Sequence, residues 1–431
     1  MSKKLALILI CIILLTSLSS CYDAREIDHV AHVLVIGVDK GVSDKWRITL
    51  QFNNMKGGSS GDQQAAGGDG GGSEDGGSQD GYTYVTVDAP SFFIGLDMLN
   101  ASVPRRLAFT HVGLIVISEE LAKDGLLEEY IAPISRFREI RGSAHMVTTK
   151  GSAMDFIKAN APFIGTTLFK EFQTSITESE NTGFFPHSTL NDFYEALLSP
   201  QHQPIMTMGA VNQFESFKEK GTKWDTEFKI GGEYPPGQLP RQGQNKIEYW
   251  GTALFDQDKM VGELNGTQTR ALLMIRGEFE RGFFTLQDPK KPELIIPLDI
   301  RQAKKPKVTV RFDEDIPTVD LTLYLQGNIL AIQSRLHYEE DPLLSLLEDT
   351  FTEEVENQVN LLINKCKNLN IDVFKFGDVA TRQFLTIDAW EEYDWNRKFK
   401  DIRVTTKVEF SIKNTGTRIK SYPMDKPEED K

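Results

Sequence analysis

One apolar run in this chain is long enough to engage a membrane and too short to cross it. Leu5 to Leu18 is apolar except for Thr16 and Ser17, and it comes directly after Lys3 and Lys4. At about 1.5 Å per residue these 14 residues span about 21 Å, short of a hydrocarbon core about 30 Å thick. A positive n-region ahead of such a stretch is the pattern of an export signal, so residues 1–20 are read as a signal peptide and set aside. No later stretch reads as a transmembrane helix. The rest of the chain must therefore fold by burying amphipathic helices and strands against one another.

The run ends in Leu18-Ser19-Ser20-Cys21, small residues closing on a cysteine. This resembles a bacterial lipobox, in which the thiol receives diacylglycerol, the chain is cut before the cysteine, and the new amine is acylated. The alternative is an ordinary secretory signal with Cys21 incidental. Several acyl chains, at about 0.8 kcal/mol per buried CH₂, would hold an exported domain durably on a bilayer. The chain has 3 cysteines, too few for a disulfide framework, and no C-x-x-C pair suggests zinc. Cys11 leaves with the signal. Cys366 falls on a stripe of Phe351, Val355, Val359, Leu362 and Leu369 at spacings of three and four. That favours a buried small hydrophobe over a reactive thiol.

The 431 residues suggest two or three domains, and 48 Lys+Arg against 62 Asp+Glu give a net charge of −14. Removing the two signal lysines makes residues 21–431 more acidic still. Such a charge argues against nucleic acid, whose affinity rests on basic residues displacing counterions.

Strand and helix patterns then alternate without a regular βαβ rhythm, which predicts an α+β chain with two or three small mixed sheets packed by helices. Strands are expected at 33–39, 46–52 and 82–87, with the last two an antiparallel pair. Their connection holds residues 57–81, 11 of which are Gly, 5 acidic and none Lys, Arg or aromatic. Such a segment buries too little apolar surface to offset its ordering entropy, so it is expected to be a mobile acidic loop. A tether or binding loop is the functional alternative. Helices are expected at 90–103, 121–138, after Gly151-Ser152, and at 163–180, 189–199 and 267–275. Further strands are expected at 107–117, 144–149, 206–214, 249–255, 259–261, 283–286, 294–300, 308–312, 319–326 and 402–412. A long helix at 343–369 carries early glutamates and late lysines, an order that suits the helix dipole. These patterns divide the chain into an N-terminal α+β domain at 21–204, a middle one at 205–300, a C-terminal one at 301–420, and a polar tail at 421–431.

Catalytic signatures are accidental or missing. Gly57-Gly58-Ser59-Ser60-Gly61 matches G-x-S-x-G, but a nucleophile elbow needs a strand before the serine and a helix after it. His29 and His32 are spaced to share a helix face, yet no third ligand is implied, and a surface or capping pair is favoured. His111, inside an apolar run, reads as a core histidine. Acidic pairs such as Asp313/Asp315 and Glu391/Glu392 are expected by chance among 62 carboxylates. Trp390, Tyr393, Trp395 and Phe399 sit at near-helical spacing, favouring core packing over a partner-binding surface. No catalytic, cofactor or metal site is assigned, and Cys21 is the one modification site.

Several ordered segments together resemble the Ger(x)C (GerAC-like) spore-germination lipoproteins. They run from Cys21-Tyr22-Asp23-Ala24-Arg25-Glu26-Ile27 and Gly37-Val38-Asp39-Lys40 through Arg106-Leu107, His111, Ile117-Ser118-Glu119-Glu120-Leu121-Ala122 and Arg138-Glu139-Ile140-Arg141. Gly251-Thr252-Ala253-Leu254-Phe255, Val261-Gly262-Glu263-Leu264, Thr269-Arg270, Phe374-Lys375-Phe376-Gly377 and Trp390 continue them. Tyr22 stands where the family usually has tryptophan, and the 57–81 insert is long. The resemblance implies a C-type germinant receptor subunit, lipid-anchored through Cys21 on the outer face of the inner spore membrane. It also implies a protein that is not an enzyme and has A-type and B-type membrane subunits as partners, one of them transporter-like and assigned to nutrient recognition. Competing readings are an extracytoplasmic solute-binding lipoprotein and a tethered hydrolase of envelope polymer.

Overall fold

The computed structural model describes residues 29–53, 82–160, 168–213, 231–243, 245–312 and 316–414. The expected signal peptide, Cys21, the 57–81 insert, Asp313/Asp315 and the 421–431 tail lie outside them.

Nine strands build the first sheet. They are β1 (Val30–Lys40), β2 (Trp46–Asn53), β3 (Tyr82–Ala89), β4 (Arg106–Ala108), β5 (Leu114–Ser118), β6 (His145–Lys150), β7 (Ile205–Val211), β8 (Ile247–Asp256) and β9 (Lys259–Leu264). Their order is β3-β2-β1-β5-β6-β7-β8-β9, with β4 laid against the first residues of β1. The centre, β1-β5-β6-β7, is parallel, and both flanks are antiparallel. Central parallel strands are covered on both faces and so lack clean alternation. In β5 every residue is buried, but alternate residues join different cores. Ile115 and Ile117 pack with α1 (Phe92–Ser102), α2 (Glu119–Asp124) and α3 (Leu127–Ser135), while Leu114 and Val116 pack with α4 (Ala153–Ala159). The expected β2–β3 antiparallel pair is present, from Trp46↔Ala89 to Asn53↔Tyr82.

The second sheet is β10 (Arg281–Gln287), β11 (Ile295–Arg311), β12 (Thr318–Ile329) and β13 (Arg403–Asn414), in that order, with β12 and β13 parallel. β12 alternates strictly between buried and half-buried residues, as a sheet with one covered face should. The cover is the 27-residue helix α8 (Leu343–Leu369), whose Leu347, Phe351, Val355, Val359, Leu362 and Cys366 are buried. Its early glutamates do not sit in its first turn. Glu348 and Glu356 instead accept the N–H groups of Ile412 and Val408 at 2.7 and 2.9 Å, occupying two donors on the open side of edge strand β13.

The α+β class holds, with two mixed sheets. Residues 205–300 have no sheet of their own: β7–β9 complete the first sheet, while β10 and the start of β11 open the second. The two strands expected at 294–300 and 308–312 are one strand, β11, whose register shifts between Gln302 and Lys307. The expected strand 107–117 is two, β4 and β5, separated by a turn.

Candidate functional site

Several of the described segments that carry the family resemblance are joints of the scaffold. Gly37 lies under α4, where a Cβ would fall 2.5 Å from Ile157 Cδ1. Two residues on, the Asp39 carboxylate accepts the N–H groups of Ala153 and Met154 at 2.7 and 3.0 Å, satisfying orphan donors of the first turn of α4. Burial pushes its carboxyl up, and those N–H bonds pull against it. Ser118 caps α2 through the Leu121 N–H at 3.4 Å. Lys150 then bridges Glu119 and Glu263, at 3.2 and 2.5 Å, tying α2 to β9.

Arg270, on α7 (Gly266–Arg276), is buried with no carboxylate partner among the described residues. Its Nε donates to the carbonyl of Thr182, the last residue of α5 (Leu168–Thr182), and its Nη1 to the Phe283 carbonyl, both at 2.8 Å. The guanidinium lies 3.7 Å from the Phe184 ring centre and 4.5 Å from that of Phe284. Burial pushes its pKa down to about 9. Two carbonyls and two ring faces compensate the charge, a geometry that a planar fork can meet and an ammonium cannot. Arg270→Lys is therefore expected to lower stability by about 2 kcal/mol, read as a shift in the urea midpoint.

The candidate site lies where the second sheet's loops meet the first sheet's helices. It is a cleft of about 600 Å³ between residues 179–205, including α6 (Leu190–Leu197), and residues 273–280 and 375–378. Glu278 sits between Arg276 and Lys375, with contacts at 3.0 and 3.2 Å. Against the upward push of burial, those two cations hold its carboxyl below its ordinary value. Across the cleft, His202 Nδ1 lies 2.8 Å from Oδ1 of Asp378, on the short helix α9 (Phe376–Ala380). Lys375 reaches the cleft from the Phe374–Gly377 turn, which wraps around the fully buried Asp372. These residues come from distant stretches, and no local pattern announced their meeting. The cleft can hold a polar or zwitterionic small molecule. Among the described residues no group of three or more acidic, histidine or cysteine side chains is placed to bind a metal ion.

Beside the cleft, His145 and His187 meet edge-on with ring centroids 4.6 Å apart, and His145 Nδ1 is buried without a partner. Burial first, and then the His187 charge, lower His145 to about 4, with Asp192 opposing. A histidine whose folded pKa lies below its unfolded value of about 6.5 binds fewer protons when folded. Its contribution to stability is whole above pH 6.5 and is lost as the pH falls toward 4. Discounted for the partly solvated ring, the loss from pH 7 to pH 4.5 is on the order of 2 kcal/mol. His145→Gln should remove that increment, so urea midpoints at the two pH values should lie closer together than in wild type.

Cys366 is fully buried, and burial pushes its thiol up to about 12, so it packs as a hydrophobe. Trp390 and Trp395 are buried against Phe384 and Phe312, Phe399 is buried against Trp395 and Phe374, and Tyr393 is half-buried on Phe312 and Phe384, so the aromatic group packs as core. His111 is a correction: it sits exposed in the turn between β4 and β5, its ring 4.5 Å from His32 rather than in a core. His32 thus meets His111, from the distant β4–β5 turn. Glu391 and Glu392 are exposed on α10 (Ile387–Tyr393).

The model for the spore germination protein N-terminal domain matches residues 23–211, and that for the spore germination B3/GerAC-like C-terminal domain matches residues 250–416. This chain belongs to the GerAC-like spore germination family. Over 426 residues it is 22% identical to spore germination protein KC of Bacillus subtilis (strain 168), covering 97% of each chain. With spore germination protein B3 of the same organism it shares 18% over 412 residues, covering 94% of this chain and 96% of that one. The crystal structure of the GerBC protein superposes with a TM-score of 0.48 at 14% identity, covering 88% of this chain and 96% of the other. In this GerAC-like protein the C-terminal match begins inside β8, a strand of the first sheet.

Proposed function

We propose that this GerAC-like protein is a lipid-anchored, non-enzymatic subunit of a nutrient germinant receptor. It is held through Cys21 on the outer face of the inner spore membrane and acts by contact with A-type and B-type membrane subunits. The observation that carries this reading is the ordered match of both family domains across 23–211 and 250–416. The structural use of Asp39, Lys150, Arg270 and Asp372 supports it, because each polar group is held by a fold contact rather than presented to a substrate. Cross-linking in intact spores, followed by pull-down of this chain from detergent-solubilised membranes, should recover two polytopic membrane proteins. Recovery of the chain alone, with cross-linking otherwise efficient, overturns the reading.

The cleft favours one second reading, capture of a polar solute by the same anchored protein. Calorimetric titration with amino acids, sugars and nucleosides tests it. Heat from one class, abolished by Glu278→Ala, supports solute capture, and a silent panel removes it.

A further inference from the structure

The helix α1 buries Phe92, Gly95, Leu96 and Leu99 on the first sheet. Its opposite face carries Phe93, Ile94, Asp97, Met98 and Ala101, all exposed. At 100° per residue these five fall within one arc of about 140°. Phe93, Ile94 and Met98 are 42%, 48% and 43% exposed, an apolar stripe left about half open to solvent, with Phe137 packed against its Phe93 end. Ser91 caps the helix start, so the stripe belongs to a well-defined helix rather than a frayed end.

The bordering segments are basic in a chain of net charge −14. Arg105 and Arg106 join α1 to β4. Arg136 and Arg138 flank Phe137, whose ring lies 5.5 Å from that of Phe93. None of these four guanidiniums is held by a carboxylate among the described residues. Asp97 is the one acid on the stripe, and the neighbouring Glu139 is turned inward onto the Phe109 N–H at 3.1 Å.

The N-terminus emerges at the same place. Asn100 accepts the Leu107 N–H at 3.0 Å, fastening the end of α1 to β4, and Arg106 of β4 lies opposite Val30, the first residue of β1. From Val30 back to Cys21 the chain can span at most about 30 Å, even fully extended. Acyl chains on Cys21 would therefore hold this edge of the first sheet close to the bilayer.

We propose that the exposed face of α1, with its arginine border, docks on an anionic phospholipid surface and fixes the orientation of the protein on the membrane. Apolar side chains enter the headgroup boundary while the guanidiniums meet phosphates, the arrangement of an interfacial helix. The first sheet then lies membrane-proximal, and its antiparallel β8–β9 flank and the second sheet extend beyond it. The inference rests on the lipid anchor at Cys21, and its test separates the two.

The lipidated full chain, carrying Ile94→Cys labelled with an environment-sensitive fluorophore, is reconstituted with vesicles of phosphatidylcholine and phosphatidylglycerol. Cys366 is buried, so the introduced thiol takes the label. Leu385→Cys, at a fully exposed position in the second half, is the reference. The expected result is flotation with the vesicles, blue-shifted emission at position 94, and quenching by nitroxide lipids at least about twofold stronger than at position 385. Reversing Arg105, Arg106, Arg136 and Arg138 to Glu should bring position 94 down to the reference. Failure to float overturns anchor and docking face together. Flotation with equal, weak quenching at both positions overturns the docking face and leaves the anchor standing. Shielding of position 94 in spore membranes but not in lipid vesicles also overturns it, assigning the face to a protein partner.

Discussion

Asp372→Ala is expected to lower the stability of the second-sheet half by about 4 kcal/mol, a large share of the about 5–15 kcal/mol that holds a typical domain folded. Four donors converge on this carboxylate. The N–H groups of Phe374 and Phe376 reach Oδ1 at 3.0 and 3.3 Å, while the Gly377 N–H and Trp395 Nε1 reach Oδ2 at 2.7 and 2.9 Å. Each buried donor left unpaired costs about 1–3 kcal/mol. The sum is offset because burial pushes the Asp372 carboxyl up, and alanine recovers that desolvation penalty. Asp372→Asn should be nearly as damaging. Its amide oxygen can serve one pair of donors, but its NH₂ then faces the other pair. The same turn docks the two halves: the Gln203 N–H donates to the Asp372 carbonyl at 2.7 Å, and a Cβ on Gly377 would lie 2.0 Å from the Gln201 carbonyl oxygen. Urea unfolding monitored by tryptophan fluorescence should therefore show an early transition in both variants. A wild-type midpoint in Asp372→Asn would show that the carboxylate is incidental to the fold.

Much of this fold was legible because its elements obey simple periods. The stripe from Phe351 to Cys366 gave α8 its face, and the alternation from Trp46 to Phe52 located β2, although Thr49 and Gln51 on its other face are buried too rather than left to solvent. The aromatic spacing around Trp390 pointed to core, and core it is. What stayed hidden lies in pairings between distant segments. Pro200 and Pro204 look like a boundary, yet they lead into β7, which lies parallel to β6 with Val147 opposite Thr207. A strand joining a sheet begun 175 residues earlier leaves no local mark. Leu107–Ile117 is apolar nearly throughout, so hydropathy could not disclose the turn that puts His111 in solvent. The cleft was equally invisible, since Glu278, Lys375 and His202 are brought together by the docking of the two halves. Carboxylate counting could not find it, with 62 candidates to choose from.

Cys21→Ala tests the membrane side of the proposal, and its expected effect is close to complete. In the proposed lipoprotein, two glyceryl-linked chains and one amide-linked chain, at about 0.8 kcal/mol per buried CH₂, would make the anchored state effectively permanent on the timescale of a fractionation. The variant loses all three. It also places alanine directly after Ser19 and Ser20, which puts small residues at the −3 and −1 positions that a general signal peptidase accepts. The variant should therefore not remain hanging on the Leu5–Leu18 run. The prediction is a protein recovered in the soluble spore fraction, with its mass showing cleavage after residue 21, and a nutrient-triggered germination rate reduced at least tenfold. Germination by agents that bypass receptors should be unaffected. The fraction left on membranes is informative too. An apolar helix face bordered by four arginines binds anionic lipid only marginally without acyl chains. The residual association of Cys21→Ala should therefore fall as salt rises, because headgroup contacts are screened within about 10 Å at 0.1 M, whereas the acylated protein should stay bound at every ionic strength. Full membrane retention of the cleaved, unacylated variant, together with unchanged germination, overturns the anchor and returns Cys21 to an incidental residue beside an export signal.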